Sequence, residues 1–167
     1  VAKDAATNLI GKLVEKLPGI KIGVVNFNNE AYTIGNVNTS IQNINNGILN
    51  LRAGGETAIG KGIEEGKKKY VETDTKVMVI ITDGQETVET EEDVIRQIET
   101  LRKGKIELVS ILTGKSENIF GTEGNARYGE VYEIANEGDI YNRVVGDIYE
   151  KIIERTEVEK DRSLGRI

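Results

Sequence analysis

The spacing of apolar residues changes several times along the chain, and each change marks an element. Residues 2–17 place Ala6, Leu9, Ile10, Leu13, Val14 and Leu17 on one helical stripe, which Pro18-Gly19 ends. Residues 20–27 read as a strand. Asn28-Asn29 can take the positive φ of a tight turn, and residues 31–34 read as the returning strand of a hairpin. A short helix over 39–51 follows, with Asn38 or Thr39 as its cap. A glycine-rich loop over 52–60 then feeds a helix running to about Tyr70, in which Gly62, Ile63 and Gly66 form a close-packing face. Residues 76–82, KVMVIIT, are an almost unbroken apolar run, the pattern of a central parallel strand buried on both faces, and Asp83-Gly84 ends it. Thr90 and Asp93 approximate a capping box for a helix over 91–102 with Val94, Ile95, Ile98 and Leu101 inward. Strands at 106–112 and, more weakly, 131–134 flank a long loop over 114–130. An amphipathic helix over 140–153 closes the pattern.

Strands alternating with helices at this spacing predict an α/β fold. It is Rossmann-like and doubly wound, with a mostly parallel sheet and one antiparallel edge strand. Composition supports a two-sided sheet: 22 isoleucines and 15 valines against 9 leucines favour pleated burial under helices. A chain of 167 residues is long enough for one domain with a real core. We place that domain at residues 1–155 and read 156–167 as a charged tail or linker.

The absent residue types narrow the chemistry. With no His and no Cys there is no imidazole base, no thiolate nucleophile and no Cys/His zinc site. A bound metal would be a hard cation on oxygen ligands. The net charge of −6 and the lack of a basic stripe argue against nucleic acid as a partner, and Lys67-Lys68-Lys69 reads as a solvated helix face. No apolar run approaches the ~20 residues of a transmembrane segment.

In open α/β sheets ligands bind beyond the carboxyl ends of the strands. The glycine-rich loop and Asp83 both belong at that end. Residues 55–62, G-E-T-A-I-G-K-G, come close to the phosphate loop G-x-x-x-x-G-K-[ST], so a P-loop-like nucleotide-binding hydrolase is one alternative. Against it, Gly62 stands where the Mg²⁺-binding hydroxyl belongs, and the loop follows a helix instead of a strand.

The motif RAGGETAIGKGI, followed after a helix by KVMVIITDG, resembles a von Willebrand factor type A (vWA) domain, and the likeness covers nearly the whole chain. The resemblance implies a metal-ion-dependent adhesion site at the top of the sheet. Such a site combines a D-x-S-x-S loop, a threonine in a glycine-rich loop and an aspartate ending the central strand. Thr57 matches the threonine and Asp83 the aspartate. The implied cofactor is a divalent cation, Mg²⁺ first and Mn²⁺ or Ca²⁺ next, and the implied partner is a protein offering an acidic residue. No enzymatic activity follows from it, and a bacterial surface or extracellular setting is preferred to a cytoplasmic one. A structural vWA domain with a degenerate metal site is the other alternative.

D-x-S-x-S occurs nowhere in the sequence; Asp161-Arg162-Ser163 supplies only its first three positions. In the family that loop follows a first strand at the middle of the sheet, between the strands matching 20–27 and 76–82. The expectation is therefore a chain lacking its central first strand, or one in which another segment or chain fills the gap by complementation or swapping. Metal affinity of the chain alone should then be weak or absent. Three further features have plainer expectations. Glu86, Glu89, Glu91, Glu92 and Asp93 read as charge at a helix N-terminus. The 114–130 loop could set partner choice or simply be mobile. Tyr132, Tyr141 and Tyr149 read as packing residues.

Overall fold

A computed structural model describes residues 2–51, 55–71, 75–83, 85–114, 118–134 and 140–163, with side chains to residue 153. Arg52, Ala53, Gly54 and Gly84 of the motifs above lie outside the described residues, as do parts of the 114–130 loop and of the tail. The elements are α1 (Ala2–Lys16), β1 (Val24–Phe27), β2 (Ala31–Gly35), α2 (Ile41–Leu49), α3 (Ile59–Lys67), β3 (Lys76–Thr82), α4 (Glu91–Lys103), β4 (Ile106–Leu112), β5 (Gly121–Thr122), β6 (Asn125–Ala126), β7 (Glu130–Glu133) and α5 (Ile140–Ser163).

The parallel part of the sheet runs β3-β4-β7. Helices cover both of its faces, as β-branched strands require. On one face Ile59 and Ile63 of α3 and Val94, Ile98 and Leu101 of α4 pack on Met78, Ile80, Leu108 and Leu112. On the other, Leu9 and Leu13 of α1 and Ile140, Val144 and Ile148 of α5 pack on Val109 and Ile111, with Val77, Val79 and Ile81 alongside. A third cluster, Ile10, Ile44 and Ile48, joins α1 and α2 to Val24 and Ile34 of the hairpin. Tyr132 and Tyr141 pack against the second cluster, and the Lys16 ammonium lies 5.0 Å from the Tyr149 ring centroid. All three tyrosines are packing residues, as expected.

The sheet is divided at the place where the first strand is expected to be absent, between the segments at 20–27 and 76–82. Among the described residues, β1 pairs only with β2, antiparallel, and β3 only with β4. The KVMVIIT run is thus the edge of its ladder, and β4 is its centre. Burial follows: β3 alternates between buried and half-buried positions, while β4 is buried from Leu108 to Leu112. The Thr113 amide donates to the Thr82 carbonyl at 2.9 Å, so the main-chain groups of Thr82, Ile80 and Met78 face β4. Those of Val77, Val79 and Ile81 face away from β4. The Tyr70 hydroxyl donates to one of them, the Val77 carbonyl, at 2.7 Å.

Helix α3 ties the two ladders together through its glycines. A Cβ on Gly62 would sit 2.7 Å from Cδ1 of Phe27 in β1, and one on Gly66 would sit 2.9 Å from Cε of Met78 in β3. The close-packing face expected from sequence is this contact.

Other boundaries move for local reasons. Residues 20–23 are not in the ladder because β2 offers no partner beyond Gly35. Neither Asn28 nor Asn29 takes positive φ; among non-glycine described residues only Lys105 does, at 57°. The cap of α2 is Ser40, whose hydroxyl accepts from the Asn43 amide at 3.2 Å, while Thr39 accepts from Asn36 and closes the preceding turn. Helix α3 starts at Ile59, inside the expected loop, and ends at Lys67. Thr90 caps α4 through the Asp93 amide, but the Asp93 carboxylate takes Arg96, so only half of the capping box forms. Lys67 donates to Thr100 at 2.6 Å and Lys68 and Lys69 pair with Glu65, so that triplet is less solvated than its sequence suggests. The 114–130 loop carries the β5–β6 hairpin and buries Ile119 and Phe120 in the first cluster. Helix α5 continues to Ser163, ten residues past the expected end at 153.

Candidate functional site

Thr57 and Asp83 both lie at the carboxyl end of the strands, on loops that are tied to one another. Asp83 directly follows Thr82 and is exposed. One of its carboxylate oxygens accepts from the Gln85 amide at 3.0 Å, which turns the chain away from the strand end. A Cβ on Gly114 would sit 3.3 Å from the Asp83 Cβ, so the loop after β4 passes close beside it.

Thr57 sits in a segment whose backbone donors are shared between two neighbours. The amides of Glu56 and Ala58 donate to the hairpin turn, to the Asn29 side chain at 2.9 Å and the Asn28 carbonyl at 2.7 Å. The amides of Thr57, Ile59 and Lys61 donate to the loop after β3. Their acceptors are the Thr87 hydroxyl at 2.7 Å, Glu86 at 2.8 Å and Glu89 at 2.8 Å. The Thr87 amide donates back to the Thr57 carbonyl at 3.0 Å. Gly55 enters the segment at φ +80°, a conformation that suits glycine, and its bare Cα lies against Asn28 and Asn29. Thr57 is therefore fixed by its own backbone. Its hydroxyl makes no hydrogen bond among the described residues and is left for another use.

The acidic stretch divides between two helices. Glu91, Glu92 and Asp93 lie in the first turn of α4, as expected. Glu86 and Glu89 instead serve α3, whose N-cap Ala58 has no side chain able to accept. Burial raises the Glu89 carboxyl above its ordinary value, against the lowering effect of the Lys61 amide. Lys61 bonds Glu30 at 2.8 Å and the Asn29 carbonyl at 3.2 Å, and the Glu30 bond holds its ammonium above the usual lysine value. Sequence reasoning missed this role of Glu86 and Glu89. Ala58 signals only that α3 lacks a side-chain cap of its own, and not which residues replace it.

These bonds bear on the nucleotide alternative. A phosphate loop needs free amides at the start of its helix and a free lysine. Here the Ile59 and Lys61 amides are taken by carboxylates, Lys61 pairs with Glu30, and α2 precedes the loop. The geometry does not support that reading.

A hard cation suits Thr57 and Asp83 in kind: one neutral oxygen and one carboxylate with an oxygen to spare. It does not suit them in number. No group of three or more acidic side chains able to hold a metal occurs among the described residues.

Solved structures with this fold exist. BatB from Bacteroides thetaiotaomicron superposes with a TM-score of 0.68 at 16% identity, over 89% of this chain and 87% of that one. A von Willebrand factor type A protein from Catenulispora acidiphila gives a TM-score of 0.69 at 17% identity, over 90% of this chain and 38% of that one. Proximal thread matrix protein 1 of the mussel byssus, solved with zinc in its MIDAS motif (metal-ion-dependent adhesion site), gives 0.59 at 19% identity, over 87% and 39%. No curated protein matches. These likenesses show the fold. The sequence goes further, because the family model for the von Willebrand factor type A domain matches residues 1–152, and to that family this chain belongs.

Proposed function

We propose that the chain is a protein-interaction module whose partner-binding face is centred on Thr57 and Asp83, and that a divalent cation there receives an acidic residue of the partner. The observation that carries this is the state of Thr57. The amides of residues 56–59 and the Thr57 carbonyl are committed to neighbouring loops, while the Thr57 hydroxyl makes no hydrogen bond among the described residues, on a segment tied to the loop that begins at Asp83. Bound, a divalent cation would give an acidic surface a means to hold an acidic ligand. Thr57 would supply a neutral oxygen, Asp83 the charge. Mg²⁺ is the first candidate, with Mn²⁺ and Ca²⁺ next. The mussel relative with zinc in its MIDAS motif supports a metal at this place in the fold. No enzymatic activity is proposed.

The remaining oxygens would come from an extended segment ending in D-x-S-x-S, lodged between β1 and β3 and supplied by the same or another polypeptide. The main-chain groups of Val79 and Ile81 that face away from β4 would pair with it, and α1 and α3 would cover it on either side. Residues 1–155 form the domain in this reading, with 156–167 leading away from it. No described helix is long and apolar enough to cross a membrane. A bacterial surface or extracellular setting is the preferred one, and a structurally similar Bacteroides fragilis protein, described as an aerotolerance-related membrane protein, supports it.

The test joins an apolar strand ending in D-x-S-x-S to the chain and titrates Mg²⁺, Mn²⁺ and Ca²⁺ by calorimetry. Binding that falls tenfold or more in Thr57→Ala and in Asp83→Ala is expected. Binding unchanged in both variants, or absent with the strand in place, overturns the proposal.

A further inference from the structure

Helix α3 begins without a local cap. The first amides of any helix lack intrahelical partners, and a Ser, Thr, Asp or Asn at the N-cap usually supplies one. Ala58 cannot, and it is fully buried, so water cannot substitute there. The acceptors come from 27 and 28 residues away: Glu86 takes the Ile59 amide and Glu89 the Lys61 amide. Glu86 uses both oxygens, the second accepting from the Val88 amide at 3.1 Å, so one carboxylate spans the two loops. Glu89 reaches its place only because residue 60 is glycine; a Cβ there would lie 3.0 Å from the Glu89 carboxyl carbon. Between them, Thr87 closes a reciprocal pair with Thr57.

A local cap would stabilise α3 equally well. A distant one does something more: the 85–90 loop cannot move without uncapping α3, and Thr57 lies between the two anchors. We infer that Glu86 and Glu89 are positioning residues for Thr57, fixing its hydroxyl relative to Asp83 by locking the loop after β3 onto the first turn of α3. The inference rests on the proposed function only for what that hydroxyl is used for; its geometry stands without a cation.

The test is residue-resolved amide hydrogen exchange, with the Thr57 methyl ¹³C shift, on the full 167-residue chain. Glu86→Ala and Glu89→Ala should each speed exchange at Thr57 and Thr87, beyond Ile59 or Lys61 alone, by tenfold or more. The Thr57 methyl should shift in both, while Val109 and Ile111 of β4 stay protected. Glu89→Gln retains the acceptor and should restore the original pattern. The inference is overturned if only the uncapped amide changes, if β4 accelerates in parallel as in general destabilisation, or if Glu89→Gln behaves as Glu89→Ala. A chain that passes this test and binds no Mn²⁺ with the added strand would overturn the metal reading and leave this one intact.

Discussion

Gly62 of α3 lies against the Phe27 ring so closely that a Cβ at residue 62 would fall 2.7 Å from Cδ1 and 2.8 Å from Cγ. Phe27 ends β1, so this contact presses the helix onto the hairpin, and Gly66 repeats it one turn later on Met78 of β3. The helix thereby spans two ladders that share no hydrogen bonds among the described residues. Gly62→Ala gains ~1 kcal/mol of helix propensity but must displace an aromatic ring, and overpacking costs about 1–3 kcal/mol. A net loss is expected in urea denaturation. Gly11, inside α1 with nothing within 4 Å of its would-be Cβ, is the control. Gly11→Ala should stabilise by ~0.5–1 kcal/mol.

Tyr70 should matter beyond its size. Its ring is partly buried against the first cluster, and its hydroxyl donates to the Val77 carbonyl, on the side of β3 that has no strand partner among the described residues. Tyr70→Phe removes the donor and leaves the carbonyl short of one bond, a loss of about 1 kcal/mol by the usual scale for neutral hydrogen bonds. Burial also raises the phenol well above its ordinary value of 10.0. The folded chain therefore keeps the proton that the unfolded chain loses near pH 10, and stability contributed by Tyr70 is present below that pH and falls as pH rises above it. Denaturation curves across the alkaline range should be flatter for Tyr70→Phe than for the parent.

How far the sequence reached depended on whether an element is set by its own residues or by a neighbour. KVMVIIT and Ile106–Leu112 were legible to the residue because their apolar runs demand two-sided burial wherever they sit. Which of them is central was not legible, because that depends on pairing between segments far apart in the chain. Ser40 took the cap expected of Asn38 or Thr39 through the turn that Thr39 itself closes with Asn36. That Thr57 and Asp83 lie together at the carboxyl end of the strands was legible because their motifs are local and ordered along the chain. The carboxylates that hold Thr57 could not, since nothing within four residues of Glu86 or Glu89 signals α3. Long-range capping leaves no spacing rule in the sequence.

Glu89 has an acid-side consequence of the opposite kind to a paired carboxylate. Burial, with Glu86 and Asp93 nearby, raises its pKa above the ordinary carboxylate value, and the Lys61 amide and ammonium only partly oppose this. Stability from Glu89 is present below the unfolded value and is lost as pH rises through the raised folded value. Replacing it by Gln retains the acceptor for the Lys61 amide and removes the ionisation. Glu89→Gln should be at least as stable as the parent at pH 7, with the difference shrinking as pH falls below about 4.5. Thermal melts at a series of pH values check the sign. Greater loss for Glu89→Gln at pH 7 than at pH 4 would contradict it.

Ser110 is the least comfortable residue of the core. It stands at the middle of β4, fully buried, with Ile80 beside it on one strand and Val131 on the other. Its hydroxyl has no hydrogen-bond partner among the described residues. Strand alternation puts it on the same face as Leu108 and Leu112, beneath α3 and α4, where the surrounding side chains are apolar. A hydroxyl without a partner in such a place costs about 1–3 kcal/mol relative to water. Ser110→Ala removes that oxygen and opens little space, so the variant should melt higher, by an amount corresponding to roughly 1 kcal/mol after the lost packing of one atom is offset. Because β4 is the strand on which both ladders of the parallel sheet depend, the gain should appear as slower exchange across Leu108–Leu112 and in β3 alike. A lower melting temperature would mean that the hydroxyl is satisfied in solution and that the serine stabilises the centre of the sheet.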